Sequence, residues 1–253
     1  MRLEPWRIVC KMTITGNNIL MGSGAGARVE MSDAPQTNLI HHYRADQGVT
    51  IATGVSNWAD QKGSVDFVQA STSKQPTYGA TTGANGLDGI TFGGSPHSMF
   101  ANWNISQPFH IFTVFEIVSA AAASEMYAGS TGGGDTIQQS VRYFGDPEVI
   151  TLIAGSAATP STPSTLTAGV DWLVDSYWNG ASTTIRINDG GTNGGNPGTR
   201  DATAGMYLCA AQPGTTTYLN AIITEILVYN TLITGTPLTD LRTYLNTDQY
   251  GLW

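Results

Sequence analysis

Asp146 and Glu148 stand two residues apart, a spacing at which alternate strand side chains share a face about 6.6 Å apart. That is close to the ~5–5.5 Å between the two carboxyl groups of a retaining glycosidase. Pro147 between them points to a turn instead, and so to solvated acids. Asp171 and Asp175 share one face of a strand but lie roughly 13 Å apart along it, too far to flank one glycosidic bond. There is no Glu-x-Asp-x-Glu run, no Gly-x-Ser-x-Gly elbow, no phosphate loop and no zinc-type cluster. Glu225, set inside an apolar run, reads as a buried structural acid paired to Arg186 or Arg242.

Other residues suit binding better than catalysis. His41 and His42 precede Tyr43 at an early strand and read as structural or solvated, and His110 reads as a satisfied core or edge histidine. Asp189, Asn193, Asn196 and Asp201 lie in or beside a Gly-rich loop and offer the hard oxygens that Ca²⁺ prefers, although their spacing matches no known loop. Sugar sites set aromatic faces against C–H surfaces and planar amides or acids against hydroxyls. Trp103, in Phe100-Ala-Asn-Trp-Asn104, is the candidate rim aromatic, with His97 near it, and Tyr127, Tyr143 and Trp178 could line a concave sheet. Ordinary core packing is the alternative for each of these rings.

The composition narrows the partners. Charged residues make up 12% of the chain, against about 25% in an ordinary soluble domain, and small polar residues fill the difference. A net charge of −8 argues against nucleic acid and anionic membranes. Cys10 and Cys209 are too few and too far apart for a disulfide framework, and Cys209 reads as a free buried thiol. Nothing is long and apolar enough to span a membrane, and the first residues lack the apolar run of a secretory signal. Met12 offers an alternative start.

Strands must carry these residues. Residues 1–37 read as an N-terminal arm of small residues, and 38–253 as one domain. His110–Val118 is apolar on both faces, as in an inner strand. Asn179-Gly180 predicts a type I′ hairpin between Trp172–Trp178 and Ser182–Ile187, and Thr192–Arg200 a long loop. Tyr218–Tyr229 is a strand with Ile222, Ile226 and Val228 on one face and Ile223, Leu227 and Tyr229 on the other. A helix follows, with Thr236 as cap, Pro237 at its first position, an apolar stripe of Leu238, Leu241, Tyr244 and Leu245, and Gly251 as terminator. This pattern is an all-β, two-sheet antiparallel jelly-roll sandwich with a short C-terminal helix and an extended N-terminal arm.

Five segments in order resemble the concanavalin A-like lectin/glucanase superfamily, in its laminin-G-like bacterial and phage form. They are Tyr43–Gly48, Val55–Gln61, Gln75–Tyr78, Asn85–Gly93 and the C-terminal strand and helix. The resemblance implies two packed antiparallel sheets, one of them concave, and carbohydrate binding, adhesion or virion structure more often than catalysis. Hydrolases of this fold place acids two and four apart on one strand, and its lyases carry Gln-Ile/Val-His. Here the histidines follow Ile40, His41, Pro96 and Phe109, so none matches. Relatives also carry a Glu at the position of Glu225 without using it chemically. The leading expectation is therefore a non-enzymatic bacteriophage virion surface protein, displayed outward on capsid or tail. It would bind capsid or tail proteins through its N-terminal arm, with glycans as further ligands, and form homo-oligomers. A bacterial lectin module is the alternative, and a polysaccharide-active hydrolase or lyase comes after it.

Overall fold

The computed structural model describes residues 34–119, 124–129, 137–142, 149–155, 166–211 and 217–253. Most of the expected arm, with Cys10 and Met12, lies outside them, as do Tyr143, Asp146 and Glu148. In chain order the strands begin with β1 (Leu39–Arg44), β2 (Val49–Ile51), β3 (Val55–Trp58), β4 (Phe67–Val68), β5 (Thr77–Gly79), β6 (Gly89–Gly93), β7 (Met99–Ala101) and β8 (Phe109–Ser119). They continue with β9 (Ser124–Gly129), β10 (Ile137–Arg142), β11 (Val149–Ala154), β12 (Asp171–Trp178), β13 (Thr183–Ile187), β14 (Thr192–Gly195), β15 (Met206–Leu208) and β16 (Asn220–Tyr229). Among the described residues they form two antiparallel sheets, the sandwich expected from the sequence. One sheet runs β14-β13-β12-β8-β16-β6-β5, with β1 also on β16, and the other runs β11-β10-β9-β15-β7-β4-β3-β2.

The two sheets differ in what covers them. Between them lies the main core, where Ile111, Phe115 and Ile117 of β8 meet Trp58, Phe67, Met99 and Leu208 of the second sheet. The outer face of the first sheet is buried as well. There Phe112, Val114, Leu173 and Leu227 pack under Leu241, Tyr244, Leu245 and Tyr250 of the C-terminal segment. This double burial is why β8 and β16 read as apolar on both faces. The second sheet has alternating strands instead: Met206 and Leu208 point into the core and Tyr207 does not, and Met99 and Ala101 flank Phe100 in the same way.

Some local expectations are corrected. The β16 register shifts between Ile223 and Glu225, so Ile223 joins Ile226 and Val228 in the main core, while Leu227 and Tyr229 face the helix. An extra residue in one strand of a pair produces this change of face. Thr224 sits at the changeover, accepting from Ala45 N–H through its carbonyl and from Ala84 N–H through its hydroxyl. The hairpin after β12 is not type I′, since Asn179 has φ −160° and such a turn needs positive φ at both central residues. The predicted long loop contains β14, which pairs Gly195 with Thr183. Helix α1 spans Gly235–Thr243 with Thr234, not Thr236, at its N-cap. It runs on into a π-helical turn over Tyr244–Tyr250, and Gly251 ends it at φ 59°, as expected of a left-handed terminator. Ala34 of the expected arm is buried with Leu39 against the helix, and Tyr229 donates its hydroxyl to the Pro35 carbonyl.

Candidate functional site

With one sheet covered on both faces, the outer face of the second sheet is where a ligand can reach backbone-rigid side chains. Pairing registers align one row across it: Thr50, Asn57, Val68, Phe100, Tyr207, Ala128, Gln138 and Ile153 on successive strands. At its centre Val68 is 45% exposed, and the rings of Phe100 and Tyr207 lie 4.9 Å apart at 47°. Gly205, at φ +90°, lets this pair form, because a Cβ there would come within 2.3 Å of the Phe100 ring.

A depression opens on each side of the Val68–Phe100 ridge. On one side a cavity of about 290 Å³ has Gln69, Lys74, Ser98, Tyr207 and Tyr218 in its walls. On the other, about 330 Å³ is bounded by Ser64, Asp66 and Asn102. Because β4 and β7 are antiparallel, Asp66 and Asn102 lie to one side of the Val68–Phe100 pair and Gln69 and Ser98 to the other. Each is about 3.3–6.6 Å along its strand from that pair, so the two depressions lie in line along the strands, a groove crossed at its middle by the Val68–Phe100 ridge. Its polar groups are held in place: Gln69 donates to the Ser98 carbonyl at 2.7 Å, and Asn57 donates to Asp66 at 3.1 Å. Burial pushes the Tyr207 phenol above its ordinary value, so at neutral pH it is a protonated hydroxyl, able to donate or accept. Apolar faces beside fixed amides and hydroxyls can hold a polyhydroxylated ring.

The residues singled out from sequence that the structure describes lie elsewhere. Trp103 is fully buried, donates Nε1–H to the Tyr43 hydroxyl at 2.9 Å, and stacks on His41 with centroids 5.6 Å apart. It therefore has no free face for a sugar. Trp178 is buried against Phe109, and Tyr127 is bonded to Thr113 in the core. His97 is half-buried in the β6–β7 loop, where its Nδ1 accepts the Gly93 N–H. Only Ser98, next to it, reaches the groove. The calcium candidates do not converge. Asp189 follows β13 past Ile187, whereas Asn196 follows Gly195 at the Thr183 end, about 13 Å away along the strand. Asn196 caps Gly198 N–H, and Asp201 accepts Gln107 N–H. Among the described residues no cluster of His, Cys, Asp and Glu could hold a metal ion.

The buried histidines and Glu225 have structural partners. His41 bonds Asp60 at 2.6 Å, and His110 bonds Asp175 at 2.7 Å, which also faces Arg242 at 3.5 Å. Glu225 is a buried structural acid, but its partners are not Arg186 or Arg242. It accepts from the Tyr244 hydroxyl at 2.9 Å and bonds His42 and the Tyr250 hydroxyl. Burial alone would raise its pKa; His42, Arg44 and Tyr250 outweigh that and hold it below the ordinary value. Two acids the sequence reading did not pair, Glu116 and Asp171, stand opposite each other on β8 and β12. Burial and the Asp171 charge raise Glu116, and burial raises Asp171 against the Asn85 N–H it accepts.

No family model and no curated protein matches the chain. Solved structures of similar fold include Trypanosoma rangeli sialidase (TM-score 0.59, 16% identity, 85% of this chain and 34% of that one). Domain 4 of AbnA, a GH43 extracellular arabinanase from Geobacillus stearothermophilus, solved in complex with arabinotriose, matches at TM-score 0.54 and 13% identity. That match covers 81% of this chain and 98% of that domain. A GH54 α-L-arabinofuranosidase matches at TM-score 0.58 and 12% identity, over 79% of this chain and 52% of that one. The chain thus spans about a third of the sialidase it resembles. These likenesses place the fold among jelly-roll-like β-sandwiches. They also overturn the expectation of a bacteriophage virion protein, because the similar structures come from glycan-processing enzymes. As those enzymes are hydrolases, they lend no support to the expectation that the chain is not an enzyme.

Proposed function

We propose that this chain is a glycan-binding domain of the concanavalin A-like kind, holding a short oligosaccharide along the groove on the outer face of its second sheet. The observation that carries the reading is the Val68–Phe100–Tyr207 row with a polar-walled depression on either side. A domain of nearly the same extent, from the arabinanase, was solved with a trisaccharide, which supports the ligand class. The test is calorimetric titration of the full chain with arabinotriose and a panel of other neutral oligosaccharides. Phe100→Ala removes apolar surface whose burial contributes about 1.5–3 kcal/mol, so binding should weaken by roughly ten- to a hundredfold. Tyr207→Ala should act similarly. Wild-type affinity in both variants would sink the reading.

Glu116 and Asp171 favour a second reading, hydrolysis. Directly opposed positions on antiparallel strands hold their Cβ atoms about 4.5–5.5 Å apart, compatible with a retaining pair. The raised carboxyls suit an acid that must hold its proton. The pair lies on the first sheet, away from the groove, and its row neighbours are Ile222, Thr91 and Thr77 rather than aromatic rings. Reducing-end release that disappears in both Glu116→Gln and Asp171→Asn would establish this reading.

A further inference from the structure

The groove is polarised. Lys74 stands in the wall of one depression and Asp66 in the wall of the other. The lysine is fixed at the end of a 3₁₀ turn, Thr72–Lys74, whose last carbonyl accepts Ser98 N–H at 3.1 Å. Its ammonium has no ion-pair partner among the described residues. Asp66, by contrast, is occupied, accepting from Asn57 Nδ2 at 3.1 Å and from Asp60 N–H at 2.9 Å. In a chain of net charge −8, the ammonium of a half-buried lysine, with no ion-pair partner and in one wall with Gln69, Ser98 and two tyrosines, is the feature of the groove least accounted for by binding neutral sugar.

We infer that the Lys74 depression takes a sugar residue bearing an oxyanion, a carboxylate or a sulfate ester. The neutral remainder of the oligosaccharide crosses the Phe100 ridge toward Asp66. This inference rests on the groove being the glycan site. The ammonium gives the oxyanion a charge-assisted hydrogen bond, while Asp66 repels the same group at the far end, so the acidic residue sets the direction in which the chain lies. A charged hydrogen bond exceeds a neutral one by roughly the energy of a tenfold change in affinity.

The test titrates the full chain with trigalacturonate, its fully methyl-esterified form, and a κ-carrageenan oligosaccharide, which carries sulfate but no carboxylate. At low salt the acid should bind about tenfold tighter than its ester. Added salt should shrink that ratio. Lys74→Gln should bring it close to one, and Lys74→Arg should keep most of it. A gain for the carrageenan instead of the galacturonate assigns the subsite to sulfate and supports the same inference. Equal affinity for acid and ester, with no gain for the carrageenan, overturns the anionic subsite but leaves the groove standing. A preference unchanged in Lys74→Gln does the same. If none of the three sugars binds and neutral oligosaccharides do not either, groove and subsite fail together.

Discussion

Substituting Glu225 by Gln tests what holds the C-terminal segment to the sandwich. The carboxylate is fully buried and gathers His42 from β1 with Tyr244 and Tyr250 from the π-helical turn. Six residues apart on an α-helix of about 3.6 residues per turn, those two tyrosines would face different directions. Both hydroxyls nonetheless reach the one acid. Gln keeps the shape and one acceptor oxygen but removes the charge that His42 and Arg44 face. Taking one partner from a buried charged set costs about 3–5 kcal/mol. The retained amide oxygen argues for the lower end, near 3 kcal/mol. For a domain of this size each kcal/mol moves Tm by roughly 2–4 °C, so a drop of about 6–12 °C is expected at pH 7. The pH dependence carries a second signature. A carboxyl whose folded pKa lies below its ordinary value of about 4.5 stabilises the fold fully above that value. The contribution is lost as pH falls through the lowered folded pKa. The wild-type chain should therefore lose stability on acidification below about pH 4.5, and Glu225→Gln should lose less over the same range. Thermal unfolding followed by circular dichroism at several pH values measures both. A Tm within about 2 °C of wild type, or acid profiles that run parallel, would refute the reasoning.

Two further outcomes follow from the groove and the loop beyond β13. Gly205→Ala places a methyl group at φ +90° and within 2.3 Å of the Phe100 ring, so the ring must move, and oligosaccharide affinity measured by titration should fall along with Tm. Calcium at millimolar concentration, or its removal with a chelator, should leave Tm within about 1 °C. A larger rise with calcium would mean that Asp189, Asn196 and Asp201 come together in solution.

Much of the framework was legible because it depends on periodicity. Apolar residues on both faces of β8 and β16 signal a sheet covered twice, and Gly251 at a left-handed helix end is a local necessity. What escaped was set by the geometry between strands. Nothing in Ile223-Thr-Glu-Ile226 announces a bulge, yet the extra residue turns Ile223 into the main core while Glu225 keeps the helix-facing side of Leu227 and Tyr229. The sequence alone offers Glu225 the arginines of strand and helix, whereas Tyr244 of the apolar stripe, Tyr250 beyond it and the distant His42 are its partners.

The groove shows the same limit from the other side. Trp103 stands out in the sequence as a rim-loop aromatic, but a tryptophan flanked by Ala101 and Ile105 at alternate positions shares their inward face, and all three are buried. Phe100, three residues earlier, sits between Met99 and Ala101, and Tyr207 between Met206 and Leu208. In both triplets the central ring is the one the period of two turns outward. That rule was available from the sequence. The adjacency of β7 and β15, which places the two rings 4.9 Å apart, was not, because about a hundred residues of chain separate the strands. An aromatic pair built from two short alternating strands exists only after the sheet has formed, so a ligand that needs both rings reports on the folded sheet and not on either segment alone.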